Sequence, residues 1–155
     1  RIVDAWERDR PDLDFAPLQV LSRVGRLARH LERARRTAFA ASELELWEFD
    51  VLSALRRAGA PYQLSPKAQL QQTLVSSGTM TNRIDRLVER GLVERRTDPN
   101  DGRGILVVMT ELGRDRVDSA IALLLEGESE LLDGLSNSDR QRLSALLRRL
   151  SLDFD

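Results

Sequence analysis

The sequence predicts a mainly helical fold that carries one small β-hairpin. Apolar residues recur at the three- and four-residue spacing of an amphipathic helix through most of the chain. The pattern changes between residues 92 and 109, where two short apolar strands flank a segment rich in Asp, Asn and Gly. With 155 residues, 41% of them hydrophobic and 32% charged, the chain is long enough to bury the core of one folded domain.

Helices are predicted on both sides of this hairpin segment. The longest lies between Asp14 and Ala41, and Pro17 suits its first turn because the N–H groups of that turn have no helical partner. Ser65 and Pro66 open a later helix in the same way, with a serine cap followed by a proline. The other predicted helices cover residues 43–58, 76–90, 111–132 and 138–150.

The helix before the hairpin combines one apolar stripe with a face of small polar residues and arginines. Ser76 or Ser77 caps its N-terminus, and Gly91 stands where a left-handed residue ends a helix. Arg, Asn and Thr are side chains that contact base edges and phosphates of DNA, although an ordinary solvated helix face has the same composition. The polar face consists of Ser77, Thr79, Thr81, Asn82, Arg83, Arg86 and Arg90, with Ser76 at the cap.

The hairpin that follows is predicted from strands at 92–96 and 105–109 and a turn at 97–104. Arg103 stands between two glycines at the expected tip, where it suits the negative potential of a narrow DNA groove. Asp101 is placed to brace Arg103, although an ordinary exposed turn with a charge pair has the same sequence. Together, helix and hairpin predict a winged helix-turn-helix, in which the helix lies in the major groove of double-stranded DNA.

The segment SSGTMTNRIDRLVERGLVERRTDPNDGRG resembles the recognition helix and wing of the MarR family of bacterial transcription regulators. The wing pattern of that family, Asp-x-Arg followed by an apolar strand and a Thr, is present as Asp101-Gly102-Arg103 and residues 105–110. The resemblance covers roughly residues 18–150 and departs in the helix PKAQLQQTL, which is rich in Gln. The residues expected to contact DNA are Ser76, Ser77, Thr79, Thr81, Asn82, Arg83, Arg86, Arg96 and Arg103.

The resemblance implies a single domain over residues 1–155. Residues 42–110 form its DNA-binding lobe, and residues 1–41 and 111–155 form N- and C-terminal dimerisation helices. The leucine rows of these terminal helices exceed what one small winged domain covers, so a second copy related by a two-fold axis is the simplest partner. Such a homodimer reads a pseudo-palindrome whose half-sites lie about one helical turn, roughly 10 bp, apart.

The N-terminal extension resembles the urate-responsive branch of the same family, in which a Trp, an Asp and two Arg form a ligand site. Here the matching residues are Trp6, Asp50, Arg83 and Arg95. Two guanidinium groups and an indole suit a flat anion. The resemblance therefore implies a repressor released by a small anionic effector, either a urate-like purine or a small organic acid. The alternative is that Asp50 and the arginines form a structural ion pair while Trp6 packs an extra helix.

Composition excludes several other classes of protein. The chain has no Cys, which excludes disulfides and thiolate metal sites, and His30 is its only His, so no catalytic triad can be assembled. We therefore expect no enzyme, no metal and no cofactor. No apolar run is long enough to span a bilayer, so we expect a cytoplasmic protein without a membrane partner. A helical interaction protein that does not bind DNA, and a regulator without a small-molecule effector, remain alternatives.

Overall fold

The computed structural model describes residues 2–73 and 76–152. It confirms a mainly helical fold with a small antiparallel sheet. The elements in chain order are α1 (Ile2–Asp9), α2 (Ala16–Ala41), α3 (Leu46–Arg57), β1 (Gln63–Leu64), α4 (Pro66–Gln72), α5 (Ser77–Glu89), β2 (Val93–Asp98), β3 (Asp101–Met109), α6 (Glu111–Leu131) and α7 (Asn137–Ser151).

The helix ends follow the caps that the sequence predicts. The side chain of Ser65 accepts a hydrogen bond from the backbone N–H of Ala68 at the start of α4. Ser76 caps α5 in the same way by accepting from the N–H of Thr79. Gly91 has φ +69°, the left-handed conformation that ends a helix and that glycine adopts without a Cβ clash. These local signals therefore fix where α4 begins and where α5 begins and ends.

The sheet has three antiparallel strands in the order β1-β3-β2. The sequence did not predict β1, because a strand of two residues carries no alternation to detect. Its place in the sheet comes from pairing with β3, in which Gln63 lies opposite Val108 and Leu64 opposite Val107. β1 extends the wing hairpin inward and joins it to the helical core.

The predicted hairpin turn at 97–104 is wrong in length. β2 continues to Asp98 and β3 begins at Asp101, so the tip is formed by Pro99 and Asn100 alone. The backbone N–H of Asn100 donates to the Asp98 side chain over 2.8 Å, and this bond closes the tight turn. Arg103 therefore stands on β3 near the tip and not within a loop.

The hydrophobic core lies where α2, α3, α5, the sheet and the first half of α6 meet. Phe39 of α2 and Phe49 of α3 stack with their ring centroids 4.0 Å apart. α6 lies very close to Leu92, the residue before β2. A Cβ on Gly113 would clash with the carbonyl oxygen of Leu92, so a glycine is needed at this position. The fully buried apolar residues of this core include Val51, Leu52, Leu55, Met80, Leu87, Val107 and Val117.

An ion pair between a buried carboxylate and an exposed arginine joins the start of α3 to the end of α5. The Glu48 side chain is 1% exposed and pairs with the guanidinium of Arg90. Glu48 also accepts the backbone N–H of Glu45 over 2.9 Å, and Arg90 donates to the carbonyl oxygen of Glu43 over 2.7 Å. A buried carboxylate is stable only when charge and hydrogen bonds compensate it, and these contacts supply both. They fix the angle at which α5 leaves the core.

The terminal helices leave long apolar rows exposed. α7 buries none of its residues, and on α6 the apolar residues Ile121, Leu125 and Leu131 are exposed. Rows of this size are rare on monomeric proteins and are typical of an interface between subunits. The exposed leucines and valines of α2, α6 and α7 are Leu18, Val20, Leu21, Val24, Leu27, Leu112, Leu123, Leu125, Leu131, Leu143, Leu146, Leu147 and Leu150.

Gln69 of α4 is fully buried, and neither its side-chain oxygen nor its nitrogen has a hydrogen-bond partner in the structure. A buried amide without partners costs folding free energy because it loses its bonds to water. We expect Gln69→Leu to raise the free energy of unfolding by about 1–2 kcal/mol. Urea denaturation measures the change, and Gln71→Leu on the exposed side of α4 is the matched control. A variant no more stable than the control contradicts this expectation.

Loss of the Glu48–Arg90 ion pair tests the anchor of α5. We expect Glu48→Ala to lower the free energy of unfolding by about 1–3 kcal/mol, because the backbone N–H of Glu45 and the Arg90 guanidinium both lose the carboxylate that they contact. The matched control is Glu111→Ala, which removes an exposed acid from α6. Thermal or urea unfolding that shows equal effects for the two variants contradicts the anchoring role of Glu48.

Candidate nucleic-acid interface

The helix predicted to read DNA presents its polar face to solvent. Met80, Ile84 and Leu87 of α5 are buried against the core. Helical geometry places the residues between them on the outer surface, and Ser76, Ser77, Thr79, Thr81, Asn82 and Arg86 are exposed. Arg83 is half-buried at the border between the two faces, on the side of α5 that meets α3. The predicted DNA-contacting residues of α5 are therefore available on one continuous surface, with Arg83 at its edge.

Trp47 lies against that edge, and the sequence pattern indicates no role for it. The guanidinium of Arg83 is 5.5 Å from the centroid of the Trp47 ring, and that of Arg86 is 5.0 Å away. The indole N–H donates to the carboxylate of Glu45, which is also 3.7 Å from the Arg86 guanidinium. The only sequence signal for this cluster is a tryptophan in the first turn of a helix whose other large apolar residues face the core.

The wing is tied to the recognition helix by a second ion pair. Arg95 of β2 donates to the carboxylate of Asp85 on α5 over 2.5 Å, which is a direct contact between strand and helix. Arg96 pairs with Glu94 on its own strand. These contacts leave the outer end of the hairpin as the part of the wing that extends beyond α5.

Arg103 is the free cation of that outer end. Its guanidinium has no ion-pair or hydrogen-bond partner within residues 2–73 and 76–152, and the residue is exposed. The expected brace from Asp101 acts on the backbone instead, because the Asp101 carboxylate accepts the N–H of Arg103 over 3.1 Å. A backbone brace fixes the strand while the guanidinium stays available for a phosphate or a groove.

The four residues predicted to bind an effector have four different partners in the single chain. Trp6 stacks on Phe15 with ring centroids 6.2 Å apart, and Asp50 lies 3.8 Å from Arg35 of α2. Arg83 packs on Trp47, and Arg95 pairs with Asp85. None of the contacts described for these four residues joins two of them. The predicted ion pair between Asp50 and Arg83 or Arg95 is therefore not among the described contacts.

Charged contacts join α3 and the turn before it to α6. Arg56 of α3 makes two hydrogen bonds to the Asp118 carboxylate, over 2.8 and 3.3 Å. The bond to Asp118 raises the pKa of Arg56 above its ordinary value. Arg116 pairs with Glu43 at the turn before α3. These pairs are direct contacts between α6, which follows the predicted DNA-contacting elements α5, β2 and β3, and the region of α3, which precedes them.

The described residues contain no cluster of three acidic or histidine side chains that suits a metal ion. None of the helices in that part of the chain combines the length and the apolar character that a membrane span requires.

Comparison with known proteins places this geometry in a family. The sequence profile of the MarR family matches residues 42–104. The transcriptional regulator PecS of Dickeya dadantii is 33% identical over 149 residues, which are 96% of this chain and 90% of PecS. The transcriptional repressor NicR of Pseudomonas putida is 30% identical over 148 residues, covering 92% of this chain and 90% of NicR.

Solved structures agree with these sequence relatives, which are transcriptional regulators and not enzymes. A mutant of Escherichia coli MarR in complex with operator DNA matches with a TM-score of 0.70 and 27% identity, over 88% of this chain and 96% of that one. Bordetella bronchiseptica BpsR, whose DNA binding is regulated by 6-hydroxynicotinic acid, matches with a TM-score of 0.62 and 28% identity, over 83% and 93%. The chain therefore belongs to the MarR family of winged helix-turn-helix, DNA-binding transcriptional regulators.

Proposed function

We propose that the protein is a homodimeric repressor that binds a pseudo-palindromic operator and leaves it when a small anionic effector binds. The observation that carries the proposal is the exposed Ser, Thr, Asn and Arg surface of α5, beside a wing that ends in the unpaired guanidinium of Arg103. This arrangement suits a recognition helix in the major groove with a wing on the adjacent backbone, on double-stranded DNA in the cytoplasm.

In the proposed complex, different residues of this surface contact different parts of the DNA. Asn82 and Arg86 face outward and reach base edges, to which Asn and Arg bind through paired hydrogen bonds. Ser76 and Ser77 stand at the N-terminus of α5, where free backbone N–H groups and the helix dipole favour a phosphate. Arg96 and Arg103 add phosphate contacts from the wing, so affinity falls steeply as salt concentration rises.

The exposed leucine rows support the dimer in this proposal. α7 buries none of its residues, so packing within one chain stabilises it little. A second copy related by a two-fold axis covers the exposed leucine rows of both chains at once. The two-fold axis then presents two copies of α5 to one side of the duplex.

BpsR supports the proposed type of effector. Its DNA binding is regulated by 6-hydroxynicotinic acid, which is a flat anion when its carboxyl group is ionised. A site built from Trp6, Asp50, Arg83 and Arg95 requires either that the second copy contributes a residue or that the two arginines leave their present partners. Because Arg83 and Arg95 now hold α5 to Trp47 and the wing to Asp85, their release would move the DNA-reading surface. A coupling free energy of about 1–3 kcal/mol is enough for a useful switch.

The wing is tested by removing its unpaired cation. We expect Arg103→Ala to weaken binding to every duplex and to lower the slope of log affinity against log salt by about 1, because one phosphate contact is lost. Fluorescence anisotropy over a salt series measures both quantities. Arg57→Ala, which removes an exposed charge from the last turn of α3, is the control. Equal behaviour of the two variants contradicts a DNA contact from Arg103.

The effector is tested by thermal shift with urate, xanthine, trans-aconitate and 6-hydroxynicotinate. We expect one of these anions to raise the melting temperature of the protein, and we expect Arg95→Ala to abolish that rise. Asp85→Asn breaks the same ion pair and keeps the guanidinium, so it separates loss of a ligand contact from loss of a structural one. Asp50→Asn is expected to alter the response in a folded dimer. No shift in the unmodified protein, or equal loss in Asp85→Asn, contradicts the site.

A further inference from the structure

We propose that Glu45 and Trp47 form a cradle that holds two arginines of the recognition helix and determines how strongly the protein prefers its operator over other DNA. This cradle consists of the Glu45 carboxylate and the Trp47 ring at the start of α3. The proposal rests on the proposed DNA-binding surface of α5 and assigns that surface two positioning residues outside it.

The cradle is built from contacts that reinforce one another. Trp47 is half-buried and packs against the hydrophobic core, so its ring is a fixed platform. Arg83 and Arg86 are three residues apart on α5, which places both on the side that meets this ring, at 5.5 and 5.0 Å. The indole N–H donates to the Glu45 carboxylate, and the backbone N–H of Glu45 donates to the buried Glu48 side chain. The acid, the ring and the two cations therefore form one unit.

Stacking prepares Arg86 for DNA without using its hydrogen-bonding groups. A guanidinium packs on an aromatic ring through its face, whereas its N–H groups point outward along its edges. The Arg86 side chain is 54% exposed, so without the ring it would sample many rotamers and lose that freedom on binding. The Trp47 ring removes part of this entropic cost before DNA arrives.

Glu45 weakens contacts between Arg86 and phosphate, and this makes the protein more selective among DNA sequences. Its carboxylate lies beside Arg86 at the edge of the proposed DNA surface, where it competes with phosphate for the same guanidinium. Binding to arbitrary DNA depends almost entirely on phosphate contacts, so this competition weakens it most. At the operator, hydrogen bonds between Arg86 and base edges offset the loss. The pair thus favours the one sequence that Arg86 can read.

The experiment compares two duplexes of equal length and composition: one selected by the unmodified protein from a random pool, and a scrambled version of it. We expect Glu45→Gln to raise affinity for the scrambled duplex by up to about fivefold, the upper end of what an exposed ion pair contributes, and to change affinity for the selected duplex less. Gln has nearly the same size and shape as Glu and removes only the charge. Glu111→Gln makes the same change in net charge away from the cradle, and an equal gain in that control overturns the role of Glu45.

The ring is tested by two substitutions of Trp47. Trp47→Leu is expected to lower affinity for the selected duplex about fivefold or more through loss of the stacked guanidinium groups. Trp47→Phe keeps an aromatic face and is expected to restore most of that affinity, which a purely space-filling role does not predict. Equal affinities for the Leu and Phe variants overturn the platform.

A spectroscopic arm covers the case in which Trp47→Leu fails to fold. The chain has two tryptophans, so Trp6→Phe leaves Trp47 as the only indole emitter. We expect the selected duplex to change the emission of Trp47 in that variant, because the cations on its ring engage DNA. Bound DNA without any change in emission overturns the cradle alone. An unmodified protein that selects no duplex from the pool overturns the proposed DNA-binding function itself.

Discussion

The proposed DNA-contacting surface of α5 depends on the ion pair between the buried Glu48 carboxylate and Arg90. A carboxylate with 1% exposure has lost its water, so its position is determined by the groups that replace that water. Those groups are the Arg90 guanidinium and the backbone N–H of Glu45, and together they hold the start of α3 against the end of α5. Because α5 has only 13 residues, an error in its angle at this end displaces its whole polar face.

A second set of contacts links the end of α5 to the wing and to α6. Gly91 ends α5, and its carbonyl oxygen accepts a hydrogen bond from the Thr110 hydroxyl over 2.7 Å. The same hydroxyl caps α6 by accepting the N–H of Gly113, where a side chain would clash with Leu92. Recognition helix, wing and the first C-terminal helix thus meet at one point without flexible linkers. The effector response proposed above requires a shift in α6 to reach α5, and these contacts are a route for it.

Charged residues at the two ends of α3 contact the elements on its two sides. Glu45 and Glu48 at its start contact arginines of α5, and Arg56 in its last turn contacts Asp118 of α6. α3 is therefore the element that relates the DNA surface to the helices with exposed leucine rows. Asp50 lies between the two groups and faces Arg35 of α2, so a ligand bound there would act on the same element.

The sequence by itself determined the helices, the caps at Ser65 and Ser76, the stop at Gly91 and the polar face of α5, because all of these depend on neighbours within about four residues. Only the tertiary structure decided the strand β1, the two-residue wing tip, the Glu48–Arg90 pair and the stack of Arg83 and Arg86 on Trp47. The partners in that ion pair are 42 residues apart, and local periodicity carries no information about which distant side chains meet. Their meeting is fixed by how the apolar faces of α3 and α5 pack against one core.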